Sequence, residues 1–239
     1  MVVLRSTLPI GTTRDIVIPR LEKNSKLKAG KDFSVSFAPE RTAEGIALKE
    51  LKENPQIIGG FDEKSSQKTA IFFNTFTHSL VHVPSLEAAE FCKLIDNSYR
   101  DHRFAFINQF IKFSERMNID LTQIVKSVNH GYSRNDIPMP SPGVGGPCLS
   151  KDPHILSHSL ESEKISPSLI RLSRKTNESI VPYLSKKINY AFKKIKKDIN
   201  NSKIFIVGMS FKGNPETSDI RNSSSIELLQ KLKSKKNNI

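Results

Sequence analysis

Over the first eighty residues the apolar positions fall into short β-branched runs separated by helix-spaced stretches. Val2-Val3-Leu4 predicts a strand that ends in a Ser-Thr-x-Pro turn. Ile16, Val17 and Leu21 share one face of a helix predicted over 12–25, with Thr12 or Thr13 as its N-cap. Strands follow at 33–37, 56–60 (QIIGG) and 79–83 (SLVHV), with a helix over 63–76. Strands alternating with helices predict an α/β unit with a parallel sheet.

From Ser85 the period changes. Residues 85–117 run without Gly or Pro and carry Leu86, Ala89, Ile95, Phe106, Phe110 and Phe113, which predicts one long helix capped by Ser85. A second helix is predicted over 121–129, and a third over 166–197 with a kink at Pro182. The loop PMPSPGVGGPC fills 138–148. Lys203–Gly208 (KIFIVG) then predicts a strand and 223–236 a helix, the start of a second α/β domain. The chain opens almost inside a strand and stops one helix into a new unit, so both ends read as cut.

Composition narrows the partners. The 239 residues hold 37 Lys+Arg against 24 Asp+Glu, a net charge of +13. The surplus gathers in 186–239, where 13 basic residues face 4 acidic ones. Those lysine runs describe a solvated helix face and come with no zinc-finger spacing or RNP-like motif, so no nucleic-acid partner is expected. No stretch approaches the roughly 18 apolar residues that a membrane span requires. Arg5 and Pro9 break the N-terminal apolar run too early for a signal peptide. Two cysteines cannot build a disulfide scaffold, and a cytoplasmic location is the expectation.

Cys148 follows paired glycines in GVGGPCLSKDP, where backbone can pass close to a ligand. Asp152 would lie one turn along a helix starting near Cys148, and Lys151 stands close in sequence to favour a thiolate. A nucleophile and a buried structural thiol both fit this spacing; Cys92 reads as packing. Lys93 and Asn97, at i and i+4, would suit an oxyanion or a solvated helix face. Glu40, Arg41 and Glu44 follow a strand, where ligands of open α/β sheets collect. Arg134 precedes the Pro/Gly loop and could grip a phosphate, while Lys212, Asp219 and Arg221 follow the 203–208 strand. The six histidines lack a third ligand at useful spacing, so no metal site is expected, and no GxGxxG unit occurs.

Five motifs, RSTLPIGTT at 5–13, APERTAEG at 38–45, KLIDNSYRD at 93–101, PSPGVGGPCLSKDP at 140–153 and GMSFKGNPETSDIRNSSS at 208–225, together resemble the nucleotide-sugar 6-dehydrogenase family. That family comprises UDP-glucose, UDP-N-acetylhexosamine and GDP-mannose dehydrogenases, whose members open with a GxGxxG loop and close with a full nucleotide-sugar domain. The resemblance implies the second half of a Rossmann-like NAD domain at 1–84, a central helical dimerisation and catalytic domain at 85–197, and part of a UDP-sugar domain at 198–239. It implies NAD as cofactor and a two-step oxidation of a C6 alcohol to a uronate through a Cys148 thioester, for surface polysaccharide or glycan precursors.

In that scheme Asp152 and Glu40 assist the hydrolytic water, and Lys93 and Asn97 stabilise the oxyanion. Ser6, Thr7, Glu44 and Arg221 would meet the cofactor. Arg41, Arg134, Met139, Gly143, Gly145, Phe211 and Lys212 would meet the nucleotide sugar. Arg41 after Glu40, Arg100 in NSYRD and Pro147 before Cys148 resemble the N-acetylhexosamine branch. UDP-N-acetylmannosamine ranks first, ahead of UDP-N-acetylglucosamine and UDP-glucose. The resemblance also implies a homodimer built on the long helix through Phe104, Phe106, Phe110 and Phe113, and no turnover by this chain alone. An inactive remnant kept as a dimerisation module is the other reading.

Overall fold

The structure, a computed structural model, describes residues 1–233 and divides them into two compact units. The first comprises Met1–Asn97 with His154–Ser166. Its sheet runs β1 (Val2–Leu4), β2 (Val35–Phe37), β3 (Gln56–Gly60), β4 (Leu80–Val83), in that spatial order. β1–β2 and β3–β4 are parallel, but β2–β3 is antiparallel, so the predicted α/β unit holds a mixed sheet. Between strands lie α1 (Ile18–Ser25), entered through a wide π-helical turn at Thr13–Val17, then α2 (Ala47–Glu53) and α3 (Glu63–Phe73). α2 has no buried residue, which is why no apolar stripe announces it.

Pleating sends alternate side chains to opposite faces. Val35, Phe37 and Ile57 join Ile18, Leu86 and Ala89 in one core, while Ala38 and Ile58 join Ala70 and Phe73 in another. Gly59 permits a close approach: a Cβ there would lie 2.1 Å from the Ser85 carbonyl oxygen. The helix α4 (Leu86–Asn108) can therefore start against the strand, with Ser85 capping the Ala88 N–H at 3.1 Å as predicted.

The second unit comprises Ser98–Pro153 and Pro167–Ile239, described through Lys233. It holds the end of α4, then α5 (Ile111–Arg116), α6 (Leu121–Asn129), α8 (Ser168–Glu178), α9 (Ile180–Lys194) and α10 (Ser224–Lys233). α7 (Asp152–Ser162) passes from this unit into the first. The long helix runs unbroken through Lys93 but stops at Asn108 instead of reaching 117. Gln109 Nε2 takes the Phe106 carbonyl at 3.0 Å, and the Phe110 N–H turns to Ile107 instead. A tightened turn results, and α5 restarts.

The helix predicted over 166–197 is likewise two. Pro182 has no N–H for the Glu178 carbonyl, so the break falls at Ser179 and Pro182 drops into the first turn of α9, where a missing donor costs least. The strand predicted at 203–208 does not form. No partner strand lies beside it among the described residues, and Phe205 and Val207 are 90% and 79% exposed. The last predicted helix begins as expected, but its end at 234–236 lies outside the described residues.

Candidate functional site

In the first unit the candidate groups gather at the carboxyl ends of β1 and β2. Glu40, three residues past β2, accepts from Arg5 Nη2 and from the Thr42 N–H, both at 2.6 Å. Burial pushes the Glu40 carboxyl up, but the Thr42 hydrogen bonds and the Arg5 charge outweigh it and hold the group below its ordinary value. Glu40 is therefore an ion-paired carboxylate. The Lys93 ammonium on α4 donates to the Glu40 main-chain oxygen, while the carboxylate serves Arg5 and the Thr42 N–H. Asn97, one turn further along α4, is buried.

Arg41 donates to the Pro55 carbonyl at 2.6 Å, and Glu44 is exposed. Ser6 is exposed and Thr7 half-buried in the turn that follows β1. That turn is held from α4. Glu90, only 1% exposed, accepts from the Gly11 N–H at 2.6 Å, the Thr13 N–H at 2.9 Å and the Thr13 hydroxyl at 2.6 Å. Neither Thr12 nor Thr13 is the side-chain N-cap that the sequence suggested, because Glu90 takes the orphan donors from another helix. Burial raises the Glu90 carboxyl pKa despite those bonds.

The second unit holds the loop at 138–148. Cys148 is exposed, and its carbonyl accepts the Lys151 and Asp152 N–H groups at 3.1 and 2.9 Å. The thiol residue thus stands one turn ahead of α7, whose first residue, Asp152, is buried. The Lys151 ammonium meets the Asp152 carboxylate. The glycines ahead of Cys148 dock onto 211–224. The Gly146 N–H reaches the Asn222 carbonyl at 3.2 Å, and a Cβ on Gly146 would lie 2.6 Å from the Phe211 ring. Asn222 Nδ2 donates to Ser150 Oγ at 3.0 Å, and Ser150 Oγ to the Gly146 carbonyl at 2.6 Å.

A Cβ on Gly143 would come within 2.8 Å of Ser224 Oγ. Lys212 carries its ammonium 5.7 Å from the Phe211 ring centroid, and Arg221 pairs with Asp219 at 2.6 Å. Those three polar residues follow an extended segment, so the placement at a strand's carboxyl end is corrected. Arg134 and Met139 are exposed, with Arg134 against Tyr132 at 5.1 Å.

Glu40, Lys93 and Asn97 thus belong to the first unit, and Cys148 with Asp152 to the second. Sequence reasoning missed Arg5, Glu90 and Asn222, and also a buried set in the second unit. Arg174 Nη1 lies 2.6 Å from Asp101 Oδ1 and 3.1 Å from the Leu149 carbonyl, just after Cys148. Asp101 closes the KLIDNSYRD motif, yet no local spacing reveals its partners Arg174 and Asn177. Among the described residues no group of three His, Cys, Asp or Glu could hold a metal, and no helix is long and apolar enough to cross a membrane.

Residues 1–77 match the NAD binding domain of the UDP-glucose/GDP-mannose dehydrogenase family, and 87–179 match that family's central domain. The chain is 36% identical to a UDP-N-acetyl-D-mannosamine dehydrogenase from Methanocaldococcus jannaschii, over 97% of this chain and 50% of the relative. It is 31% identical to an NDP-N-acetyl-D-galactosaminuronic acid dehydrogenase from Ralstonia solanacearum, over 97% of this chain and 54% of that protein. The solved UDP-D-ManNAc dehydrogenase from Pyrococcus horikoshii superposes with a TM-score of 0.91 at 31% identity, covering 99% of this chain and 55% of that one. The chain spans about half the length of the curated relatives it matches.

Proposed function

We propose that this chain, which belongs to the UDP-glucose/GDP-mannose dehydrogenase family, carries the reacting residues of an NAD-dependent oxidation of a UDP-N-acetylhexosamine at C6. UDP-N-acetylmannosamine is the favoured substrate, supported by the names of the relatives in M. jannaschii and P. horikoshii. The observation that carries the reading is the exposed Cys148 thiol, set one turn ahead of α7 on a glycine loop docked against Phe211 and Asn222. A free thiol kept for packing would be buried.

Cys148 adds as a thiolate to the C6 aldehyde left by the first oxidation. The thiohemiacetal so formed loses a hydride in the second oxidation to become a thioester, and hydrolysis of that thioester by water frees the thiol. Lys93 and Asn97 donate to the oxygen that gains charge, and Asp152 orients the water. Glu40, an ionised carboxylate paired with Arg5 and the Thr42 turn, is assigned with Asp152 to assist that water. NAD+ supplies the two-electron acceptor for each oxidation. Thr7 after β1 and Glu44 after β2 are assigned to its nicotinamide half, Ser6 to the cofactor beside them, and Arg221 to its contact from the later segment. The sequence offers no GxGxxG turn for the pyrophosphate. Arg41, Arg134, Met139, Gly143, Gly145, Phe211 and Lys212 are assigned to the nucleotide sugar.

We assign 1–84 to part of an NAD domain, 85–197 to a central helical domain and 198–239 to part of a UDP-sugar domain. The half-buried Phe104 and the exposed Phe106, Phe110 and Phe113, running from α4 into α5, are assigned to a homodimer interface.

The test is NADH formation from UDP-N-acetylmannosamine, UDP-N-acetylglucosamine or UDP-glucose, by the chain alone and with an added segment bearing a GxGxxG unit. Turnover is expected with the added segment, fastest on the mannosamine compound and absent in Cys148→Ser. Equal turnover by Cys148→Ser would remove the nucleophile assignment.

A further inference from the structure

The loop around Cys148 is gripped at both flanks by one set of buried polar side chains. At its distal flank, Arg174 Nη1 is shared between Asp101 Oδ1 at 2.6 Å and the Leu149 carbonyl at 3.1 Å. Asn177 Nδ2 donates to the Asp101 carboxylate at 2.8 Å and to its main-chain carbonyl at 2.9 Å. Asn177 Oδ1 accepts from Asn108 Nδ2 at 3.1 Å. At the proximal flank, Asn108 Oδ1 accepts the Ser141 N–H at 2.9 Å, and Ser141 Oγ donates to the Gly143 carbonyl at 2.9 Å. Asp101, Asn108, Arg174 and Asn177 are all at most 4% exposed.

A buried ion pair is a poor route to stability, because desolvating both charges consumes most of their attraction, and apolar side chains could join α4 to α8 at lower cost. Burial indeed pushes the Asp101 carboxyl up against the pull of Arg174. What apolar residues could not do is aim a particular carbonyl. The guanidinium is a planar fork whose Nη1 serves both Asp101 and the Leu149 carbonyl while Nη2 meets Glu178 at 3.3 Å, and held in that plane it fixes the direction of the peptide that follows Cys148. We propose that Arg174, braced by Asp101, Asn177 and Asn108, is a positioning residue that sets where the Cys148 thiol is presented. This rests on the reading of Cys148 as the nucleophile.

The test uses the full chain in a Cys92→Ser background, so that Cys148 is its one thiol. It follows the pH–rate profile of alkylation by iodoacetamide, hydrogen exchange at 141–152, and the melting temperature. In Arg174→Met the alkylation profile should shift, and amides at 149–152 should exchange about tenfold faster while those of α9 keep their protection. Arg174→Lys retains a cation for Asp101 without the fork and should restore the melting temperature more fully than the loop protection. Asn108→Ala should loosen 141–143 and leave the Asp101–Arg174 pair intact.

A folded Arg174→Met with wild-type profile and exchange overturns the proposal. If that variant fails to fold, a folded Asn108→Ala with unaltered exchange at 141–143 does so. No substrate or cofactor is present, so these outcomes are separate from the dehydrogenase reading: a loosened loop together with undiminished turnover in Cys148→Ser would leave the clamp standing and sink the nucleophile.

Discussion

Gly145 lies so close to Asn222 that a methyl group on its α-carbon would stand 2.0 Å from the Asn222 carbonyl oxygen. That obstacle is main chain and cannot swing aside as a side chain would. Gly145→Ala should cost about 1–3 kcal/mol, the usual penalty of overpacking. Urea denaturation checks this, and an unchanged midpoint would mean that the loop does not rest on residues 222–223.

Glu90 offers two carboxylate oxygens to three donors at the start of the helical segment after β1. Glu90→Gln puts an NH2 group where an acceptor is needed, leaving the Gly11 N–H or the Thr13 donors facing another donor. An unsatisfied buried polar group costs about 1–3 kcal/mol, and relief of the buried charge offsets part of that. A lower melting temperature is expected, together with faster amide exchange at 11–13. A variant as stable as the wild type would show that Glu90 does not hold this turn.

The pH dependence of stability separates the carboxyls by sign. Glu40 has a folded pKa below its unfolded one, so its contribution is present above the unfolded value and is lost as pH falls through the folded value. Glu90 and Asp101 have raised folded values, so their contribution is full below the unfolded pKa and is lost as pH rises through the folded one. Denaturation midpoints across the acid range should fall less steeply at low pH for Glu40→Gln than for the wild type. Parallel curves would contradict the ion pair with Arg5.

Phe106 and Phe110 meet edge to face with centroids 5.4 Å apart, and both are exposed. If they anchor a dimer, Phe106→Asp should raise the dissociation constant at least about tenfold, since a central aromatic commonly contributes more than 1 kcal/mol. Sedimentation velocity over a concentration series reads this. A wild-type chain that stays monomeric throughout would dismiss the interface.

Elements with a strong local pattern were legible from the residues alone. QIIGG forms β3 at the stated residues, and α6 spans the predicted 121–129, because apolar period and flanking signals agree there. The misses share a cause in distant partners. The end of α4 depends on a Gln109 side chain that competes for a backbone carbonyl, and the missing strand at 203–208 needed a ladder partner that no local pattern can guarantee. Cys148 and Asp152 were visible through their spacing. The Asp101–Arg174 pair was not, since its members are 73 residues apart.

The extended run at 203–208 has a consequence for handling. Phe205 and Val207 face water, Ile204 and Ile206 are half-buried between them, and no strand among the described residues pairs with this backbone. Such a stretch is a template for intermolecular β-pairing, and it carries one lysine at its start as its sole charged gatekeeper. Concentrated solutions of this chain should therefore thicken with time through residues 203–208, and a charge introduced at Phe205 should keep them clear.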